Sequence, residues 1–161
     1  MTRSPIRPTD DEARALARRL MTEARIGALG VIDPATGAPH VTRVAVAAGT
    51  GLAPAILVSE LSHHTRALEA QAACSLLVGE PGPKGDPLTH PRLTLQCRAR
   101  FADRGGSEHA ALRARHLARH PKSALYIDFA DFRFALLEVE AGHLNGGFGK
   151  AFVLTREDIS G

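Results

Sequence analysis

Arg92-Leu-Thr-Leu-Gln-Cys-Arg-Ala-Arg-Phe101 alternates without a break: Leu93, Leu95, Cys97, Ala99 and Phe101 fall on one side, Arg92, Thr94, Gln96, Arg98 and Arg100 on the other. Successive side chains of a strand face opposite ways, so this period of two predicts a half-buried strand with a polar, cationic face. Sheets with one wet face are typically antiparallel.

The flanking sequence agrees. Ile26 to Ile32, His40 to Ala47, Ala55 to Val58, Cys74 to Val78 and Phe132 to Glu140 read as strands, and Gly142 and Asn145-Gly-Gly147 punctuate a final extended pair through Leu154. In the returning strand Val41, Arg43 and Ala45 point opposite to Thr42, Val44 and Val46. Asp33-Pro-Ala-Thr-Gly37 and Gly49-Thr-Gly51 are turns by composition. Thr9-Asp-Asp-Glu12 has the form of a capping box ahead of Ala13, Leu16, Ala17, Leu20, Met21 and Ala24, an apolar stripe at helical spacing. Further helices are expected from Ser62 to about Gln71, Ser107 to Arg119 and Lys122 to Phe129. Residues 1–8 read as a flexible leader and 9–161 as one domain. The class is mainly β (α+β), with six or seven antiparallel strands and flanking helices, in a small closed or partly open barrel.

Composition narrows the function. Twenty basic residues stand against seventeen acidic ones and are dispersed among them, and aromatics make up only 4%. Neither a dedicated nucleic-acid surface nor a base-stacking platform is expected. No apolar run is long enough to span a bilayer and the first residues lack a signal-peptide core, so the expected location is cytoplasmic. Cys74 and Cys97 form no CxxC pair and read as buried thiols.

Ser59-Glu-Leu-Ser-His-His-Thr-Arg66 lies where a strand gives way to a helix. Free backbone N–H groups and the dipole at a helix start favour an anion. Ser62 and Thr65 could donate O–H bonds and Arg66 could grip oxygens bidentately, which suits a phosphate monoester. Taken alone, the same residues also fit a capping serine beside solvated side chains. The loop Glu80 to Pro91 is long for a bare connector and is a candidate functional loop.

Leu61-Ser-His-His-Thr-Arg-Ala-Leu68, Ser75-Leu-Leu-Val78, Lys84-Gly-Asp-Pro87, Pro91-Arg-Leu-Thr94, Asp131-Phe132 and Gly146-Gly-Phe-Gly-Lys-Ala-Phe152, in that order, resemble the pyridoxamine 5′-phosphate oxidase-like superfamily, in its haem-utilisation (HugZ-type) branch. The resemblance runs from about residue 9 to 158. It implies a split β-barrel that dimerises and holds FMN in a groove between protomers. It further implies that Arg43 and Val44 touch the flavin, that Ser59, Ser62, His64, Thr65 and Arg66 hold its phosphate, and that Lys84, Arg92, Thr94, Gln96, Gly147 and Lys150 line the groove. The function so implied is that of an FMN flavoprotein, an oxidoreductase acting on a small molecule by hydride or electron transfer at the flavin. Haem binding on the same barrel, or flavin binding without catalysis, are the alternatives. Three departures qualify the match. Ala67 replaces the usual Asn, Ala48 stands where the true oxidase has a substrate-binding Lys, and the oxidase's C-terminal Arg and His motif has no counterpart, which argues against vitamin B6 oxidation. Haem ligation through the C-terminal His-bearing segment of the haem-degrading members is not expected from these residues, though another His could serve.

Other constellations read as structural. His116 and His120, spaced i, i+4, are expected on a solvated helix face rather than as a metal pair. Arg98 and Arg100 are expected to protect an exposed sheet edge, whereas Arg92 would line the groove.

Overall fold

Six strands close on one another. In this computed structural model, which describes residues 5–161, eight strands form one sheet: β1 (Ile6–Arg7), β2 (Ile26–Ile32), β3 (Pro39–Ala48), β4 (Pro54–Ser59), β5 (Ala73–Val78), β6 (Arg92–Phe101), β7 (Phe132–Asn145) and β8 (Ala151–Thr155). Their order is β1-β8-β7-β4-β3-β2-β5-β6, and β6 pairs back onto β7. The ring thus runs β7-β4-β3-β2-β5-β6, with β8 and β1 appended to β7. Every pairing is antiparallel except β1 with β8. The mainly β antiparallel barrel expected from the sequence is the observed class.

The split lies on β7. One edge of that strand carries β6 from Ala135 to Asn145. The other edge carries β4 over Phe132 to Leu136 and β8 over Ala141 to Asn145, leaving residues 137–140 between them. A register shift opposite Gln96 and Cys97 leaves Glu140 without a partner on β6, a bulge that bends the strand there. The cleft between β4 and β8 has a volume of about 280 Å³.

The barrel interior is aliphatic, built from residues such as Leu29, Val46, Ile56, Leu76, Leu95 and Leu137. A second cluster, centred on Phe134 with Leu112, Ile127 and Leu136, lies under α3 (Ser107–Arg119). β7 is therefore buried on both faces through Phe134-Ala-Leu-Leu137, which is why that run does not alternate. α1 (Asp11–Glu23) closes the end where β5 stops, with Leu20 beside Gly79 and Leu16 beside Gly146. α2 (His63–Ala70) inserts Ala67 and Leu68 into the barrel core. No helix of the described residues is long and apolar enough to cross a membrane.

Several local expectations change. Asp10, not Thr9, caps α1: its carboxylate accepts from the Ala13 N–H at 2.8 Å, while the Thr9 hydroxyl donates to the Val153 carbonyl at 2.9 Å. Asp10→Ala is expected to cost about 1 kcal/mol of stability in urea unfolding, and Thr9→Ala less. Residues 1–4 of the expected leader lie outside the described residues, but Ile6 and Arg7 pair with Ala151 and Phe152 and are part of the sheet. Gly142 does not break a strand; it lies inside β7, where a Cβ would come within 2.9 Å of the Ile159 side chain. That isoleucine belongs to a short helix, α4 (Arg156–Ser160), which the sequence reading did not include. Residues 122–129 hold a 3-10 turn, Pro121–Leu125, rather than a longer helix. β6 is paired on both sides as far as Arg98, which sits between Ala73 and Glu138 and is not at an edge; Arg100 lies beyond the end of β5, paired with β7 alone, and its charge is bound by Glu108 and Glu138.

Candidate functional site

The strand registers align the candidate residues on the outer face of the sheet. Arg43 stands opposite Ala28, Ala28 opposite Leu77, Leu77 opposite Thr94 and Thr94 opposite His143. Neighbouring strands are ~4.8 Å apart, so this row crosses the barrel wall almost at right angles to the strands. Ser59 joins it from the other side: Arg43 and Ser59 each lie three residues beyond the paired Val46 and Ile56. Gln96 and Arg92 flank Thr94 on the same face, two residues to either side. Val44, by contrast, points into the core and is buried, so only its backbone can reach a ligand on this face.

The floor of the face is apolar and small. Val41 is 65% exposed, Leu77 40% and Val153 40%, with Ala28 and Gly30 between the first two. A groove of about 390 Å³ runs over Ala28, Val41, Arg43, Leu77 and Glu80. Among the described residues, the side chains of Arg43, Thr94, Gln96 and His143 make no hydrogen bond, ion pair or ring contact. Arginines elsewhere, such as Arg14, Arg100 and Arg113, are neutralised by carboxylates.

The 59–66 turn divides into bracing and presented groups. The Ser59 hydroxyl donates to Asp131 at 2.6 Å and accepts from the Leu61 N–H. Thr65 is fully buried, and its hydroxyl donates to the Ser59 carbonyl at 2.6 Å. These two side chains hold the turn rather than face solvent. His64 Nδ1 lies 3.2 Å from the Thr42 hydroxyl, which ties the turn to β3. Burial, then the neighbouring His40 and His63, lowers the His64 pKa, so its ring is neutral near pH 7. Ser62 occupies the N-cap position without making a side-chain cap bond, and the Arg66 guanidinium is exposed and, among the described residues, unpaired. Those two are the polar groups the turn leaves free.

The 80–91 loop and the 146–150 turn meet beside Arg92. His90 accepts from the Gly82 N–H at 2.7 Å and contacts the Lys84 carbonyl at 2.7 Å, folding the loop on itself. Arg92 donates to the Leu88 carbonyl at 2.8 Å. Gly147, at φ 122°, receives the Asn145 side-chain oxygen on its N–H, and a Cβ there would lie 3.2 Å from the Thr89 carbonyl. Among the described residues, the side chains of Lys84 and Lys150 have no partner. Arg92 therefore braces the loop, while the two lysines supply free charge.

His116 and His120 do not face solvent as expected. His116 is fully buried, its ring 4.7 Å from that of His120 and 5.7 Å from that of Phe134. His143 and Thr42 are the site residues that sequence reasoning missed. Only the successive pairing of five strands shows that His143 shares a face with Arg43.

A six-stranded ring with two appended strands is the architecture of the pyridoxamine 5′-phosphate oxidase-like split barrels. Residues 8–159 match the CREG beta-barrel family model, and the chain belongs to that family. It is 34% identical over 119 residues to Non-canonical heme oxygenase HOZ, chloroplastic, of Arabidopsis thaliana, a stretch covering 73% of this chain and 35% of that one. It is 30% identical to a heme binding protein from Mycobacterium smegmatis, with a TM-score of 0.84 over 96% of this chain and 61% of that one. A pyridoxinephosphate oxidase family protein from Clostridium acetobutylicum, at 14% identity, has a TM-score of 0.71 over 94% of this chain and 99% of that one, a likeness of fold alone. The chain thus spans about a third of the plant relative and less than two thirds of the mycobacterial one.

Proposed function

We propose that this chain binds haem on the outer face of the β2-β3-β5-β6-β7 wall, in a groove completed by a second copy. The carrying observation is that one face joins an exposed apolar floor to unpaired cations and an unpaired imidazole. A planar apolar ring bearing two carboxylates matches that donor set: Leu77 and Val153, three strand spacings apart on either side of Thr94 and His143, suit the ring, and Arg43 and the lysines at 84 and 150 suit the carboxylates. The two relatives at 30% identity or more that are named for haem support the same choice. Exposed apolar residues on this face support a homodimer, because burying them stabilises by about 25 cal/mol per Å². When bound, haem supplies redox and oxygen chemistry; the chain's own residues orient it and neutralise its charge.

FMN is the second reading, favoured by the presented Ser62 hydroxyl and Arg66 guanidinium at the start of an eight-residue helix. Under it the protein is a flavin-dependent oxidoreductase or a flavin carrier. Parallel titrations of the purified protein with hemin and with FMN, read by absorbance and flavin fluorescence, separate the two. The haem reading expects a saturable Soret band at one hemin per protomer and at least a tenfold weaker hemin affinity in Arg43→Ala, a loss of about 1.4 kcal/mol. Tight FMN binding that falls in Arg66→Ala, with no saturable hemin uptake, would establish the flavin instead. Size-exclusion chromatography with light scattering checks the dimer; a monomer at saturating ligand contradicts it.

A further inference from the structure

We propose that His143 is the residue of this chain that coordinates the haem iron, an inference that rests on the haem reading above. Neutral imidazole is a common axial ligand to haem iron, so the candidates this chain offers are those of its eight histidines that are accessible, unengaged and on the face proposed for the ligand.

Seven of the eight are committed elsewhere. His90 has both ring nitrogens engaged within the 80–91 loop. His120 Nε2 lies 2.8 Å from the Val46 carbonyl under α3. His116 is fully buried, and His109 packs edge-on to Phe134 at 5.4 Å, its Nδ1 buried. His40 and His63 stack edge-on at 4.7 Å, and His63 lies 3.4 Å from Asp33. His64 is held by Thr42.

His143 differs on every count. It is exposed, and among the described residues its ring has no partner. Its backbone is fixed on both sides, opposite Thr94 on β6 and Val153 on β8. Such rigid placement limits the ordering cost of coordination. Val153, and Leu77 two strands away, provide exposed apolar surface on the same face. Lys150, unpartnered among the described residues, lies in the 146–150 turn that follows β7 just beyond Asn145, so free cationic charge is available to a carboxylate while the imidazole holds the metal.

The test uses the full chain, wild type and His143→Ala, loaded with hemin and examined by ferric and ferrous–CO absorbance and by electron paramagnetic resonance. The wild type is expected to give an imidazole-ligated spectrum. His143→Ala is expected to lose it, to bind hemin at least tenfold more weakly, and to regain the wild-type Soret position when millimolar imidazole is added. Far-UV circular dichroism should match the wild type, since the side chain is exposed. Saturable hemin uptake with the same spectrum in both proteins would overturn the ligand assignment alone. No saturable uptake by the wild type would overturn the haem reading and His143 with it.

Discussion

Gly79→Ala is expected to lower the free energy of unfolding by about 3 kcal/mol and to weaken ligand binding at the same time. Gly79 ends β5 at φ 98°, a conformation in which an L side chain is strained by ~1–3 kcal/mol. Space is a second obstacle. A Cβ at this position would lie 2.6 Å from the Pro91 carbonyl oxygen and 2.8 Å from Arg92 Cα. Both are backbone atoms, so no rotamer change relieves the clash, and the start of β6 must move. That movement displaces Arg92, whose guanidinium tethers the 80–91 loop through Leu88, and shifts Thr94 on the ligand face. Gly37→Ala is the control. Gly37 has φ 72° with nothing within 4 Å of the added carbon, so it incurs backbone strain without collision, about 1 kcal/mol. Urea unfolding of the two variants checks the difference; equal losses would show that strain alone, not contact with β6, governs position 79.

What could be read from the sequence was what depends on a residue's immediate neighbours. The alternation over Arg92 to Phe101 needs no partner to be visible, and the side chains it assigned inward at 93, 95 and 97 are buried. The stripe Ala13, Ala17 and Met21 marked the buried face of α1. Features fixed by distant partners were less visible. Thr9 and Asp10 are both good caps, and the choice between them was made by β8, which takes the Thr9 hydroxyl. Arg98 looked like an edge charge because the closure of β6 onto β7, which pairs it with Glu138, joins segments more than thirty residues apart. α4 did leave a local signal: Thr155 and Asp158 form a reciprocal capping box, but a five-residue helix is too short to show an apolar stripe. The site divided the same way. The 59–66 segment was recognisable by residue type, whereas the engagement of Ser59 with Asp131 and the burial of Thr65 depend on how residue 131 returns to the end of β4.

His116 sets an acid limit on the fold. Its ring is fully enclosed between α3 and Phe134, and neither nitrogen has a hydrogen-bond partner. Burial, and then the adjacent His120, lowers its pKa to about 4. An unfolded chain holds the proton below about pH 6.5, the ordinary histidine value. Between those two pH values the unfolded state is protonated at this position and the folded state is not. Stability is therefore full above pH 6.5, falls as the pH drops towards 4, and changes no further from this residue below that. The loss over that range is on the order of 2–3 kcal/mol. Asp128 and Asp158, whose pKa values are lowered by the Arg113 guanidinium and the Thr155 N–H respectively, release stability only below the ordinary carboxylate range, so the two effects separate on the pH axis. His116→Leu removes both unsatisfied nitrogens and the proton-binding group. It is expected to raise stability at pH 7 by about 1 kcal/mol, since apolar replacement of an unpaired buried polar group is favourable. It should also flatten the unfolding free energy between pH 6.5 and 4.5. Chemical denaturation of both proteins across that range is the measurement. A variant that keeps the wild-type slope would show that His116 is not the source of the acid sensitivity.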